Sequence, residues 1–183
     1  MKQMIATILM TAGIFFAGRG QDYLTRNGNI SFFSHTALED NTAQNNEAVS
    51  TLNSQTGDIE FKVAVKGFHF AKTAMEDHFN NPDYMNSDKY PKAGFKGKIT
   101  NISAVNFSQS GTYKVTVQGD LTIKATTKPI TTPATIVVDN GGVTATCVFD
   151  INRKDFDVIG EAFVQKKLAD QIEITVNCKY DKR

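Results

Sequence analysis

The chain has 183 residues, 40% of them hydrophobic and 21% charged, the size and composition of one globular domain, which excludes a multi-span membrane protein and a disordered chain. A formal net charge of +1 at pH 7 supplies no basic field, so nucleic acid is not expected as a partner. Thirteen Phe and no Trp, with abundant Thr and Val, favour strands over helices.

Met1-Lys2-Gln3 is a short positive head, and Met4 to Ala17 is apolar except at Thr7, Thr11 and Gly13. Small Gly18 and Gly20 precede Gln21. Residues 1–20 therefore read as a cleaved secretory signal peptide, and the apolar run is shorter than the ~20 residues of a spanning helix. An uncleaved anchor is the alternative. The expected location is periplasmic or secreted, with residues 21–183 as one mature domain. Loss of Lys2 and Arg19 leaves it 18 basic and 19 acidic residues.

Asn29 to Thr36 reads as a strand with Ile30 and Phe32 on one face and Phe33 on the other. The Asn-rich, acidic run Ala37 to Asn46 predicts a surface connection, and Glu47 to Ser54 a weakly alternating strand. Gln55-Thr56-Gly57-Asp58 is a turn, after which Ile59, Phe61, Val63 and Val65 form one face of a strand. Ala71, Ala74, Met75, His78 and Phe79 recur at helical spacing, so a short helix over Ala71 to Asn80 is expected, stopped by Asn81-Pro82. From Ala93 to Ile102 the residues Ala93, Phe95, Gly97 and Ile99 alternate with Lys92, Gly94, Lys96 and Lys98. From Tyr113 to Ile123 the odd positions Tyr113, Val115, Val117, Gly119, Leu121 and Ile123 are set against polar even ones, the period of a half-buried strand.

Thr127-Lys128-Pro129 predicts a turn. Ile130 to Val138 predicts a strand that Pro133 confines to an edge or a bulge. Asn140-Gly141-Gly142 then predicts a hairpin turn into Val143 to Ile151. Phe156 to Asp170 reads as helical or irregular, with Phe163, Val164 and Leu168 as its apolar contacts, and Ile172 to Tyr180 is the last strand. Cys147 and Cys178 fall on the apolar phases of the last two strands. Export permits a disulfide; two buried thiols packed as small hydrophobes are the alternative.

About eight alternating segments with turns between them define an antiparallel sandwich or barrel. Within them His78-Phe79-Asn80, Tyr84-Met85-x-Ser87, Lys89-Tyr90-Pro91-x-Ala93-x-Phe95-x-Gly97 and Gly119-x-Leu121-Thr122-Ile123 occur in one order. That order resembles the YceI-like family of secreted lipocalin-like barrels, over Tyr23 to Tyr180. The resemblance implies an all-β, antiparallel, eight-stranded lipocalin-like barrel with one or two short helices, and a ligand such as a polyisoprenoid held inside it. Two places depart from the family pattern. Lys124-Ala125-Thr126-Thr127-Lys128-Pro129 stands where a Gly-containing turn is usual, and Asp157 replaces the Gly that usually follows Arg153-Lys154-Asp155-Phe156.

An enzyme is not expected. His35, His69 and His78 are the only histidines and have no zinc-like spacing, and no Gly-x-Ser-x-Gly turn is present. Adjacent Glu76 and Asp77 diverge around a helix, and no metal or cofactor is implied beyond a bound lipid. The expected ligand is an amphiphilic lipid with an isoprenoid-like or fatty tail. The tail would lie against Phe32, Phe61, Phe95, Leu121 and Phe149 and over Gly97 and Gly119, where a bulky inward residue is missing. Met75 to Tyr90 would gate the mouth, with Met75 and Phe79 toward the ligand and a head group near His78, Tyr84, Tyr90 or Lys128. Transient membrane contact is compatible with this reading. The competing one is a filled barrel that acts through its surface in envelope stress or adhesion, which would enclose no space of ~300 Å³ or more. If Gly119 lines a cavity, Gly119→Phe should fold and lose ligand.

Overall fold

The computed structural model describes residues 22–36, 40–140, 142–161 and 168–183. Residues 1–20, expected to be a signal peptide, and Phe163 and Val164 of the predicted irregular stretch lie outside them.

Nine strands and one α-helix are formed by the described residues. They are β1 (Asp22–His35), β2 (Asp40–Asn53), β3 (Asp58–Ala64), β4 (His69–Phe70), α1 (Thr73–Asn80), β5 (Lys92–Ile99), β6 (Gly111–Ile123), β7 (Thr126–Asp139), β8 (Gly142–Asn152) and β9 (Gln171–Lys182). The order around the sheet is β1-β9-β8-β7-β6-β5-β3-β2, every pair is antiparallel, and β2 pairs back with β1. Eight strands thus close an antiparallel barrel, as the alternating segments predict, and the two-residue β4 adds to the rim of β2.

β2 begins earlier than expected: residues 40–46 are strand rather than connection. The hydrophobic pattern misses them because their inward positions are small or polar. Ala43 and Asn45 are fully buried there. Asn45 is tolerated because its amide nitrogen donates to Ala64 O at 2.9 Å and its oxygen accepts from Glu47 N at 2.8 Å, so both ends of its amide are partnered.

The second correction is at Thr127-Lys128-Pro129, which is strand. β7 starts at Thr126, and the turn is Lys124-Ala125, with Lys124 at φ +55°. The prolines Pro129 and Pro133 pair in register with Asp120 and Thr116 of β6, while the ladder to β8 begins only at Ala134, opposite Cys147. Pro133 is therefore at a local edge, as its missing N–H requires.

One end of the barrel is solid. Leu52, Ile99, Ile136, Val143 and Tyr180 are almost wholly buried, and Tyr180 shares a buried hydrogen bond of 2.7 Å with Ser50 Oγ. Tyr23 stacks on Phe107 at 5.5 Å across this floor. The predicted turn at Gly57 holds beside it, at φ +78°.

Candidate functional site

Above the floor the barrel holds a cavity of about 610 Å³, lined mainly by apolar side chains. This exceeds the ~300 Å³ expected of a drug-sized ligand site and excluded by a filled barrel. Strand alternation supplies the walls: Phe61 from β3, Phe95 from β5, Leu121 from β6 and Phe149 from β8 all line it, and Phe32 enters from β1.

The mouth is covered by α1 and the loop behind it. No residue of α1 is fully buried, so the helix is held by two half-buried side chains that reach down, Met75 and Phe79, and both line the cavity. Phe79 is the anchor. Its ring stacks on Phe32 at 5.5 Å and meets Phe68 at 5.7 Å and Phe70 at 5.3 Å. Such ring pairs are worth about 0.5–1.5 kcal/mol each beyond area burial. The helix stops where predicted, with Asn81 N donating to His78 O. The chain then folds back, Met85 N donating to Phe79 O at 3.0 Å and Ser87 N to Asn80 O at 3.1 Å, which puts buried Met85 over the cavity.

The far side of the mouth is built on Arg153, at the end of β8. Arg153 is 5% exposed and spends its donors on this one segment. Nε donates to Ala169 O at 2.9 Å, Nη1 to Val158 O and Ile159 O at 2.7 and 2.6 Å, and Nη2 to Asp170 Oδ1 at 3.0 Å. Lys154 Nζ donates to the other Asp170 oxygen at 2.6 Å. That hydrogen bond, then the two positive charges, holds the Asp170 carboxyl below its ordinary value. Gly160 N donates to Asp83 O at 2.9 Å, joining this segment to the loop behind α1. Tyr84 lies at the join and lines the cavity; burial first, then the charge of Glu161, pushes its phenol up.

Seven of the nine residues expected to meet a tail therefore line one cavity: Phe32, Phe61, Met75, Phe79, Phe95, Leu121 and Phe149. Gly97 and Gly119 do not. They face each other in the β5–β6 register, and a Cβ on Gly119 would strike the Gly97 Cα, the Lys96 carbonyl and the Phe95 ring. The glycines let two backbones and one ring approach closely, and the space above them is filled by Phe95. Of the suggested rim groups, His78 and Tyr84 line the cavity and Tyr90 and Lys128 do not.

Phe68, Phe70, Met85, Arg153 and Cys147 also line it without having been singled out. For Cys147 the inward phase of its strand was the available signal. Its thiol is pushed up to about 11 by burial, and that of Cys178 to about 12, burial again the main cause. Both cysteines are free. Ala145 lies opposite Cys178, and Cys147 opposite Val176, so the two thiols are diagonal neighbours rather than a facing pair. No group of three or more His, Cys, Asp or Glu suited to a metal ion occurs among the described residues.

The barrel and its interior define a lipocalin-like protein with one apolar cavity beneath a helical lid. Residues 16–180 match the YceI-like domain, and the chain belongs to that family. Among solved structures it is similar to BcnA of Burkholderia cenocepacia, with TM-score 0.70 and 19% identity over 84% of this chain and 95% of that one. It is also similar to a polyisoprenoid binding domain from Saccharophagus degradans implicated in plant cell wall breakdown, with TM-score 0.76 and 10% identity over 90% of this chain and 100% of that one. A YceI protein of Campylobacter jejuni aligns with TM-score 0.57 and 17% identity over 75% of this chain and 80% of that one. At these identities the likeness is one of fold. No curated protein matches the chain.

Proposed function

We propose that this protein is an exported binding protein that encloses one amphiphilic lipid, its isoprenoid-like or fatty tail inside the barrel and its polar head under the lid. The observation that carries the reading is the barrel cavity of about 610 Å³ with apolar walls, within the ~300–1,000 Å³ of small-ligand sites. Two of its few polar groups, His78 and Tyr84, belong to the helix and loop over the mouth, where an amphiphile with one polar end would place its head. Met75 and Met85 suit a lid over an irregular chain, because an unbranched thioether adapts to many shapes. The fold likeness to a polyisoprenoid binding domain supports the same ligand class, and the leader-like residues 1–20 support export to the periplasm or medium.

The test is solvent extraction of the purified protein followed by mass spectrometry, together with titration of the emptied protein with a fluorescent polyene fatty acid. A co-purified lipid or saturable uptake is expected. A protein that carries no lipid and takes up no polyene refutes the proposal.

A further inference from the structure

The barrel wall is not equally closed all round. β6 and β7 pair continuously from Gly111 opposite Val138 to Ile123 opposite Thr126, and β8 and β9 pair out to Asn152 opposite Gln171. Between them the β7–β8 ladder stops at Ala134 opposite Cys147. Among the described residues, 126–133 of β7 and 148–152 of β8 therefore have a paired neighbour on one side only, and the seam between them runs up to the mouth. Ile130 and Thr132 on one lip and Phe149 and Ile151 on the other line the cavity.

The sequence keeps this seam from zipping. Thr116 N donates to Asn101 Oδ1 at 2.9 Å, and its carbonyl accepts from Thr100 N at 2.9 Å, so both main-chain groups of Thr116 point away from β7. Its partner Pro133 then belongs to a non-hydrogen-bonded pair and turns its nitrogen toward β8. Pro129, four residues along the unbroken register, does the same. Neither nitrogen carries the hydrogen that a ladder needs.

At the top, the lips are held by one residue. The 3-10 turn Arg153–Phe156 follows β8, and Asp157 caps it at φ +57°. Asp157 O accepts from Lys124 Nζ at 2.6 Å, and Asp157 Oδ2 accepts from Thr126 Oγ1 at 2.9 Å, so the β8 side is tied to the β6–β7 turn. Lys124 and Asp157, the two departures from the family pattern, thus meet in one contact. Each is a non-glycine residue in a left-handed conformation, a strained position for a residue with a side chain.

We infer that the seam between β7 and β8 is the route by which an apolar chain enters and leaves the cavity, and that the Lys124–Asp157–Thr126 contact is its latch. This rests on the cavity being a ligand site. A tail that slides sideways between the lips need not displace the Phe79 ring cluster under the lid.

The experiment measures stopped-flow uptake and release of a fluorescent polyene fatty acid by two altered proteins. Lys124→Gly with Thr126→Val removes both latch bonds, keeps a residue suited to φ +55° and touches no cavity-lining side chain. Uptake and release should both quicken about tenfold with Kd unchanged, the scale of losing two exposed hydrogen bonds. In the second protein, Thr131→Cys and Asp150→Cys, both exposed and matched when the Ala134–Cys147 register is extended across the seam, are joined by a short bifunctional reagent; exchange should then all but stop and resume when the bridge is cleaved. Unchanged rates in the first protein, or unchanged exchange in the bridged second, overturn the seam as the route while leaving the ligand site intact. A wild-type protein that takes up no probe overturns the ligand site and the route together.

Discussion

Gly97 and Gly119 are directly opposite one another on β5 and β6, and the ring of Phe95 lies across both, its Cζ within 2.7 Å of where a Gly119 Cβ would be. Gly119→Ala must push two backbones apart or evict that ring. A loss of about 1–3 kcal/mol is expected, read as a lower urea midpoint, with probe uptake per folded molecule retained. Gly119→Phe is expected to fail more severely, contrary to what an inward-facing glycine over open space would predict.

Ala145 is the contrasting position. It lines the cavity from β8, so a larger side chain there extends into open space. Ala145→Phe should leave the melting temperature within a few degrees of wild type and weaken polyene binding by about tenfold or more, 1.4 kcal/mol per decade. A large fall in melting temperature with unchanged binding would show that the space is not available to a ligand.

Arg153 holds the carbonyls of Val158, Ile159 and Ala169 together. Its truncation to Ala leaves them without their charged donor, at a cost of about 3 kcal/mol or more. Arg153→Lys should recover little, because a single ammonium cannot reproduce the planar fork. Denaturant titration of both variants measures this, and full recovery by Lys would show that charge alone matters.

Asp170 links this anchor to pH. Its carboxyl is held below the ordinary range, first by the hydrogen bond from Lys154 and then by the positive charges of Lys154 and Arg153. A carboxylate depressed on folding contributes stability that is present above its unfolded pKa of ~3.9 and is lost as pH falls through the lower folded value. The acid limb of the stability curve below about pH 4 should therefore be shallower in Asp170→Asn than in wild type. Identical limbs would remove Asp170 from the account.

The thiols titrate in the opposite direction. With Cys147 near 11 and Cys178 near 12, the folded state favours the protonated forms. Their contribution is complete below the unfolded thiol value of ~8.5 and is lost as pH rises through the folded ones. At pH 8 both should resist alkylation in the folded protein and react promptly in denaturant. Equal rates in the two states would contradict the burial of Cys178.

What could be read from the sequence was the phase of each strand, and phase is enough to place Phe61, Phe95, Leu121 and Phe149 on the cavity wall. Phase says nothing of register, and register decides the two glycines: only the pairing of Gly97 with Gly119 shows that Phe95 already occupies their space. The early part of β2 carries no hydrophobic alternation because burial there falls on Ala43 and Asn45, the latter satisfied by main-chain groups nineteen residues away and two residues away. Pro129 signals a turn in the sequence yet lies within β7. A proline whose nitrogen faces an unpaired side costs the strand nothing, so it does not mark a turn there. Phe68 and Phe70 carried no periodic signal, since they belong to the short rim segment whose role is set by the ring of Phe79.

The stacked Tyr23 and Phe107, and the Tyr180 hydroxyl tied to Ser50, make the barrel blind at one end. A blind tube cannot be threaded. Under the proposed function, a tail longer than the cavity is deep must double back or protrude through the mouth or the seam. For such a tail the solid end would act as a stop against which contour length is measured, a selectivity that requires no specific contact with the ligand.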